Sequence, residues 1–476
     1  MVDLQRTNLE GNMFGLIIDR MLPTPITVQL TQQLRDAILC GKIAAGQKMP
    51  PTRQHAKELG ISRNSVILAY EQLIAEGYLN SAMGSGTYAA SIDASAKYPK
   101  KSTITGSSYL NEKENRDMIV FDPANPDLSV FPKALWAKTL KEACLDAVAD
   151  DFGYVSPGGH PVLIKAIAEY LYRAKGIYCG FERIFIVPGT SAGIEMVSKL
   201  LYKPVANALT EDPCLHFARH AIEKSGLNVV PVESDASGIC TDLLPEIEDL
   251  RLIYVASSHQ FPLGGVLPAN RRIALLDYAQ SHDAYVIEDD YDSEFRYCGE
   301  PIQSLWHLDS ERVIHLGSLS NVFSPSLRIA YMILPSALTK QAREHIDSLN
   351  VWTGAIEQIA ISRLMETKQL DRHVFQMKKR YDAKRKRLIA CLNAAFGSSI
   401  TISGDNAGLY LMITLPRRLS PDDFTAFEKI GIDVDYVEDY ALIKGSHENQ
   451  LVLGFGNLSM ENIEEGVRRL KEAINL

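Results

Sequence analysis

Four short apolar runs, IFIV, RLIYV, AYVI and RVIHL, fall between residues 184 and 316, with longer helical stretches between them. Unbroken apolar runs of this length read as strands buried on both faces. Strands alternating with helices read as crossover units, so the sheet they build is largely parallel. Residues 118–476 are therefore expected to form an α/β domain. Its closing segment, ENIEEGVRRLKEAI, has the spacing of an amphipathic helix.

Residues 21–90 follow a different rhythm. Ile26, Leu30, Leu34, Ala37 and Ile38 share one helical face, and Gly41 ends that helix. Thr52 to Leu59 read as a short second helix closed by Gly60. Ser62 is placed to cap a third, whose apolar stripe is Val66, Ala69, Tyr70 and Leu73. Arg63, Asn64 and Ser65 then sit at its exposed N-terminal end. Tyr78–Asn80 and Thr87–Ala89 flank Met83-Gly84-Ser85-Gly86, which reads as a β-hairpin. Helix, glycine turn, helix and hairpin, in that order, make a winged helix-turn-helix. Such a unit offers the N-terminal end of its third helix to the major groove, where arginine suits guanine. Residues 91–117 between the two units are poor in large apolar side chains and rich in Ser, Lys, Thr and Asn. That is the composition of a flexible linker.

The net charge of −9 would disfavour nucleic acid if it were spread evenly. It is not. Residues 1–90 hold eight Lys/Arg against seven Asp/Glu, which leaves the acid excess on the remainder. The seven cysteines are scattered and odd in number, with no C-x-x-C pair, so neither a disulfide framework nor a zinc ribbon is expected. No apolar run approaches a membrane span, and the first residues lack a signal-peptide pattern. A cytoplasmic protein is the expectation.

Four features carry chemistry, and all fall where strands end, which is where open α/β sheets bind ligands. Gly189-Thr190-Ser191 opens a helix after a strand, and helix N-termini hold anions. His259 and Gln260 follow another strand and would line a pocket rim. Asp289, Asp290, Tyr291 and Asp292 end a buried strand. Three carboxylates there could hold Mg²⁺. Alternatively, Asp289 pairs with a protonated pyridine nitrogen and Tyr291 with a phenolic oxygen, an arrangement that keeps pyridoxal phosphate (PLP) an electron sink. Ser318, Ser320 and Arg328 follow a fourth strand and could hold a phosphate.

In this order the segments resemble the fold-type I aminotransferases, and PITVQLTQQLRDAILCGKIAAGQKMPPTRQHAKELGISRNSVILAYEQLIAEGYLNSAMGSGTYAA resembles a GntR-type winged helix. The whole chain resembles the MocR/GabR-type regulators, which join the two. SHQFPLG is similar to their S-H-Q-Y-P-T-G, and EDDYDSEFRY matches theirs almost letter for letter. The resemblance covers about 21–90 and 118–475. It implies a PLP-dependent transferase (fold type I) α/β/α domain with a small C-terminal α+β subdomain, behind the winged helix. It implies DNA contacts at Arg53, Ser62, Arg63 and Asn64, with Gly84 approaching from the wing tip. It also implies a phosphate site at Gly189, Thr190, Ser191, Ser318 and Arg328, with Asp289 and Tyr291 facing the ring.

The chain departs from that pattern at three places. The family motif is G-[ST]-[FL]-S-K, whose lysine forms the Schiff base with PLP. Here Gly317-Ser318-Leu319-Ser320-Asn321 ends in asparagine, which forms no imine and carries no base. An E-D-P-x-Y segment usually sets an aromatic near the ring, where Glu211-Asp212-Pro213-Cys214-Leu215 sets leucine. Near the C-terminus R-L-G-F supplies an arginine for a substrate carboxylate, where this chain has Val452. The implied function is a transcription regulator that senses a small molecule, PLP or an amino-acid-like ligand. Its aminotransferase-like domain would not be an enzyme, and any PLP would be held non-covalently. A working aminotransferase with a fused head, or a purely architectural DNA-binding protein, are the competing readings. The implied partners are double-stranded operator DNA, the effector, and a second copy in a homodimer whose heads can exchange, with no membrane.

Overall fold

Glycine and proline positions decide where the head turns. The computed structural model describes residues 13–82, 84–92, 118–154, 156–349 and 353–474. The chain divides into two units, Met1–Lys113 and Glu114–Leu476. In the first, α1 (Ile26–Leu39) buries Leu30, Leu34, Ala37 and Ile38. Helix α2 (Thr52–Leu59) stops at Gly60, which adopts φ 63°, a left-handed conformation that suits a residue without Cβ. Helix α3 (Arg63–Ala75) starts at Ser62, whose hydroxyl accepts from the Ser65 amide at 3.0 Å. It buries Val66, Ala69, Tyr70 and Leu73. Strand β1 (Leu79–Ala82) then pairs antiparallel with β2 (Gly86–Ala89), Leu79 opposite Ala89.

The head's core reaches further upstream than residue 21. Phe14 and Leu16 are buried in it beside Leu30, Leu34 and Val66. The expected linker lies outside the described residues from position 93 onward, as does Met83 at the hairpin turn.

The second unit opens with β3 (Ile119–Phe121), α4 (Lys133–Asp146) and α5 (Pro161–Lys175). Strands and helices then alternate: β4 (Ile184–Val187), α6 (Thr190–Leu200), β5 (Asn207–Asp212), α7 (His216–Lys224), β6 (Asn228–Asp235), the short β7 (Gly238–Ile239), β8 (Leu250–Val255), α8 (Ala269–Ser281), β9 (Tyr285–Asp290), β10 (Val313–Ser318) and β11 (Ala330–Ile333). These strands form one sheet in the order β4-β11-β10-β9-β8-β5-β6-β7. From β10 through β6 every neighbour is parallel, while β11 runs against both β10 and β4. The parallel strands are apolar because helices cover both faces, and Val286, Ile253 and Leu209 are sealed within them.

Helices α9 (Thr339–Leu349) and α10 (Ala355–Glu366) lead into the long α11 (Gln369–Phe396). A smaller layer follows, built from β12 (Thr401–Ser403), β13 (Tyr410–Thr414), α12 (Pro421–Lys429), β14 (Ile432–Tyr436), α13 (Val437–Tyr440), β15 (Gln450–Gly454) and α14 (Met460–Ile474). Its sheet runs β12-β13-β15-β14-β3, antiparallel except for the β14–β3 pair. The expected amphipathic tail is α14, which buries Ile463, Val467, Leu470 and Ile474. The architecture is thus a winged helix followed by a fold-type I α/β domain with an α+β subdomain. Among the described residues, no helix is long and apolar enough to cross a membrane.

Candidate functional site

Charge on the head is free where α3 begins. Arg35, on α1, is held by Glu76 at 2.5 Å. Arg63 instead touches Thr52 Oγ1 at 3.5 Å, a marginal bond, and has no carboxylate partner among the described residues. Ser62, Arg63 and Asn64 are exposed, as are Arg53 at the start of α2 and Gly84 at the hairpin turn. Ser65 is half-buried, its hydroxyl 2.8 Å from that of Ser62. These six residues mark one end of the helix-turn-helix and the tip of its wing.

One cation in this region has no signature in the sequence pattern. Lys48 forms an isolated antiparallel bridge to Tyr88 on the wing, and its Nζ lies 5.7 Å from the Tyr88 ring centroid. The Tyr88 hydroxyl sits 2.7 Å from Ser85 Oγ. Beneath the surface, His55 Nδ1 and the Tyr70 hydroxyl meet at 2.7 Å, joining α2 to α3. That buried bond fixes the angle at which α3 is presented.

In the large unit, the strand order brings the ends of β4, β10 and β9 to one edge, as expected from their sequence motifs. Gly189 follows β4 with φ 93° and precedes the first turn of α6, where Thr190 and Ser191 are half-buried. The exposed Arg328 lies across Gly189 and donates to the Pro188 carbonyl at 3.1 Å. The φ of Gly189 is one that side-chain-bearing residues rarely adopt, and a methyl group there would also displace the guanidinium. After β10, Ser318 Oγ accepts from the Ser320 amide at 3.1 Å. Asn321 Nδ2 donates to the Tyr291 carbonyl at 3.2 Å.

Asp289, one residue before the end of β9, is fully buried. Tyr254 on β8 donates to its Oδ2 at 2.7 Å, while Oδ1 has no hydrogen-bond partner among the described residues. Burial pushes the Asp289 carboxyl up to about 7, with the Tyr254 hydrogen bond opposing and the charges of Asp290 and Asp292 adding to the rise. Glu211, at the end of β5, is buried nearby and raised to about 8, chiefly by burial. Its Oε2 accepts from the Ala256 amide at 3.0 Å. Neither Tyr254 nor Glu211 stood out as a site residue in the sequence, although an acid closing a buried strand was a usable signal for Glu211.

The three aspartates face three different partners. Asp290 is paired with Lys175 at 2.5 Å. Asp292 is paired with His259 Nδ1 at 2.7 Å. Among the described residues no group of His, Cys, Asp and Glu is arranged to hold a metal.

His259 lies deeper than a pocket rim. It is 1% exposed, bonded to Asp292 and to the Gly404 carbonyl at 3.2 Å, and stacked on Tyr410 at 4.9 Å. Burial opposes its charge, but the Asp292 carboxylate more than compensates and holds the imidazole above its ordinary value. The Tyr291 hydroxyl donates to the His259 carbonyl at 2.8 Å and lies 3.2 Å from that of Tyr410.

Comparisons with known proteins find relatives of both units. The profile of the "Aminotransferase class I and II" family matches residues 117–444, and that of the "Bacterial regulatory proteins, gntR family" matches residues 26–89. The uncharacterized HTH-type transcriptional regulator YdeL of Bacillus subtilis is 33% identical, over 96% of this chain and 98% of its own length. The probable rhizopine catabolism regulatory protein MocR of Rhizobium meliloti is 31% identical, over 96% of this chain and 95% of its own. Among solved structures, an archaeal alanine:glyoxylate aminotransferase superposes with a TM-score of 0.70 at 24% identity, over 75% of this chain and 90% of its own.

Proposed function

The chain belongs to the HTH-type transcriptional regulators that join a gntR-family winged helix to an aminotransferase class I and II domain, and from that premise we propose that it senses PLP held without a covalent bond. The observation that carries this reading is Asp289 Oδ1, a buried carboxylate oxygen with no partner among the described residues, at the edge where Arg328 and the α6 N-terminus also lie. A basic ring nitrogen would satisfy that oxygen and keep the carboxylate charged. Gly189, Thr190, Ser191, Ser318, Ser320 and Arg328 offer amides, hydroxyls and a guanidinium to the phosphate. Tyr291, anchored through His259, borders the ring. PLP bound there supplies an electron-withdrawing pyridine ring. Asn321 stands where the attaching lysine would be. It holds the Tyr291 carbonyl and supplies neither an amine nor a base, so the domain acts as a receptor.

On the head, Arg53, Ser62, Arg63, Asn64 and Ser65 contact operator DNA, and Gly84 approaches it from the wing. Two copies of the chain form a homodimer. The exposed Leu145, Val148 and Phe152, close together in sequence, supply apolar surface for that contact. With residues 21–90 as the head and 118–476 as the receptor, the segment 91–117 is long enough to let heads exchange between subunits. Working on DNA places the protein in the cytoplasm.

Calorimetric titration of the full chain with PLP tests the receptor reading. Saturable binding that weakens about 10- to 100-fold in Arg328→Ala is expected, since a charge-assisted bidentate contact is lost. Absence of binding by the unaltered protein overturns it. Turnover of amino acids by the unaltered protein would instead favour a working enzyme. Asn321→Lys is expected to convert the bound PLP into a form trapped on the protein by borohydride, read as a mass increase on the peptide containing residue 321. Unaltered mass with PLP still bound would mean that position 321 is not within reach of the ring.

A further inference from the structure

The gntR-family profile begins at residue 26, yet residues 14–20 are built into the head. Burial alternates along them: Phe14 and Leu16 are buried, Gly15 and Ile17 exposed, as in a strand with one covered face. Their backbone pairs with side chains of α1. Gln33 Oε1 accepts from the Ile17 amide at 2.7 Å, and its Nε2 donates to the Ile17 carbonyl at 2.6 Å. Gln29 repeats the pair at Asp19, accepting from the amide at 3.0 Å and donating to the carbonyl at 2.8 Å. The spacing fits, because two strand residues span about 6.6 Å and four helix residues about 6 Å. Two carboxamides one turn apart on α1 thus fix the register of the segment. A slip of one residue would turn Phe14 outward.

Both ends of the segment grip α2. Phe14 meets the His55 ring edge-on, 6.0 Å between centroids, and His55 is the α2 residue bonded to Tyr70 of α3. Arg20 Nη2 donates to the Gly60 carbonyl at 2.5 Å. Gly60 closes α2 and stands two positions before the Ser62 cap of α3. Its amide is already turned back toward the Lys57 carbonyl. The guanidinium therefore holds, by a charge-assisted bond, the peptide plane from which α3 departs.

We propose that residues 14–20 are part of the DNA reader, and that Arg20 is a positioning residue that sets the direction of α3 through the Gly60 carbonyl. The proposal rests on α3 being the recognition helix. A side chain that reads a base edge must be held within about 0.5 Å of its working position. Contacts to phosphates carry no sequence information and depend mainly on charge. Loosening the turn therefore costs sequence-specific binding and spares the general attraction for DNA. Arg20 is exposed, so its removal leaves the core of the head untouched.

The test uses the full chain and two duplexes of equal length: one enriched by the unaltered protein from a random-sequence pool, and a scrambled version of it. Arg20→Ala is expected to bind the enriched duplex about 10-fold more weakly, the size of one hydrogen bond. Binding of the scrambled duplex and the salt slope are expected to stay as they are. Arg20→Lys can still donate to Gly60 and is expected to recover most of the loss. Gln33→Glu keeps the acceptor for the Ile17 amide and loses the donor to its carbonyl. Added to Arg20→Ala, it is expected to cost less than it does alone, since both act through one segment. Fully additive losses, an unchanged affinity in Arg20→Ala, or a lysine variant as weak as the alanine one each overturn the proposal. Equal weakening on both duplexes, with a salt slope lower by about one, would make Arg20 a phosphate contact and overturn it as well. If the unaltered protein enriches no duplex, the DNA-binding reading fails first and takes this one with it.

Discussion

Arg63→Ala is expected to lower affinity for the native operator about 100-fold while leaving the head folded. The side chain is exposed at the first position of α3, and its contact within the protein is the marginal one to Thr52. Removing it therefore costs almost nothing in the free protein. The helix start does not depend on it, because the cap is the Ser62 hydroxyl bonded to the Ser65 amide. On DNA the same guanidinium would make two bonds to one guanine edge, worth about 1–3 kcal/mol of discrimination, besides its charge. Arg53→Ala provides the contrast. As a backbone contact it should weaken all sequences alike and lower the salt slope by about one. Fluorescence anisotropy across a salt series separates the two. If Arg63→Ala bound the operator as tightly as the unaltered chain, α3 would not be the recognition helix.

Much of the architecture was readable because turns and strand ends carry distinct residues. Gly60 and Ser62 bracket the turn between α2 and α3, and each does in the structure what its chemistry allows. The four apolar runs became neighbouring or near-neighbouring strands because their length and composition leave little alternative in a covered sheet. Contacts between distant segments were not readable in this way. Tyr254 sits inside an apolar strand and looks like core, yet its hydroxyl reaches Asp289, 35 positions on, because β8 and β9 pair in parallel. Lys175 looks like an ordinary helix terminus and proves to be the partner of Asp290. Phe14 and Leu16 precede the recognisable pattern, and only packing reveals that they belong to the head. His259 was conspicuous in sequence for the right loop, but its depth was set by Asp292 and Gly404, which no local pattern connects.

Asp289→Asn is expected to make the ligand-free protein more stable at pH 8 and to remove its response to PLP. The Asp289 carboxyl titrates near 7 in the fold against an ordinary value of 3.8. Below about pH 4 both folded and unfolded chains carry the proton, and the residue is neutral to stability. As pH rises from about 4 to 7 the unfolded chain releases its proton while the folded one keeps it, so stability falls. Above 7 the loss is complete. A shift of roughly three units corresponds to about 4 kcal/mol as an upper bound, since each unit is about 1.4 kcal/mol. Asparagine mimics the protonated acid and can still accept from Tyr254, so the variant should escape this loss. Glu211 is raised to about 8 chiefly by burial, with the Asp289 charge a lesser cause, so most of the difference between the two proteins reports Asp289 itself. Unfolding free energies from denaturant titrations between pH 4 and 8 should therefore diverge by roughly 2–4 kcal/mol and converge again in acid. Saturating PLP should reverse the order, because a cationic ring nitrogen pairs with the carboxylate and not with the amide. Parallel pH profiles would mean that Asp289 is already charged and satisfied without a ligand. The unpartnered oxygen would then not be the site at which the ring is read.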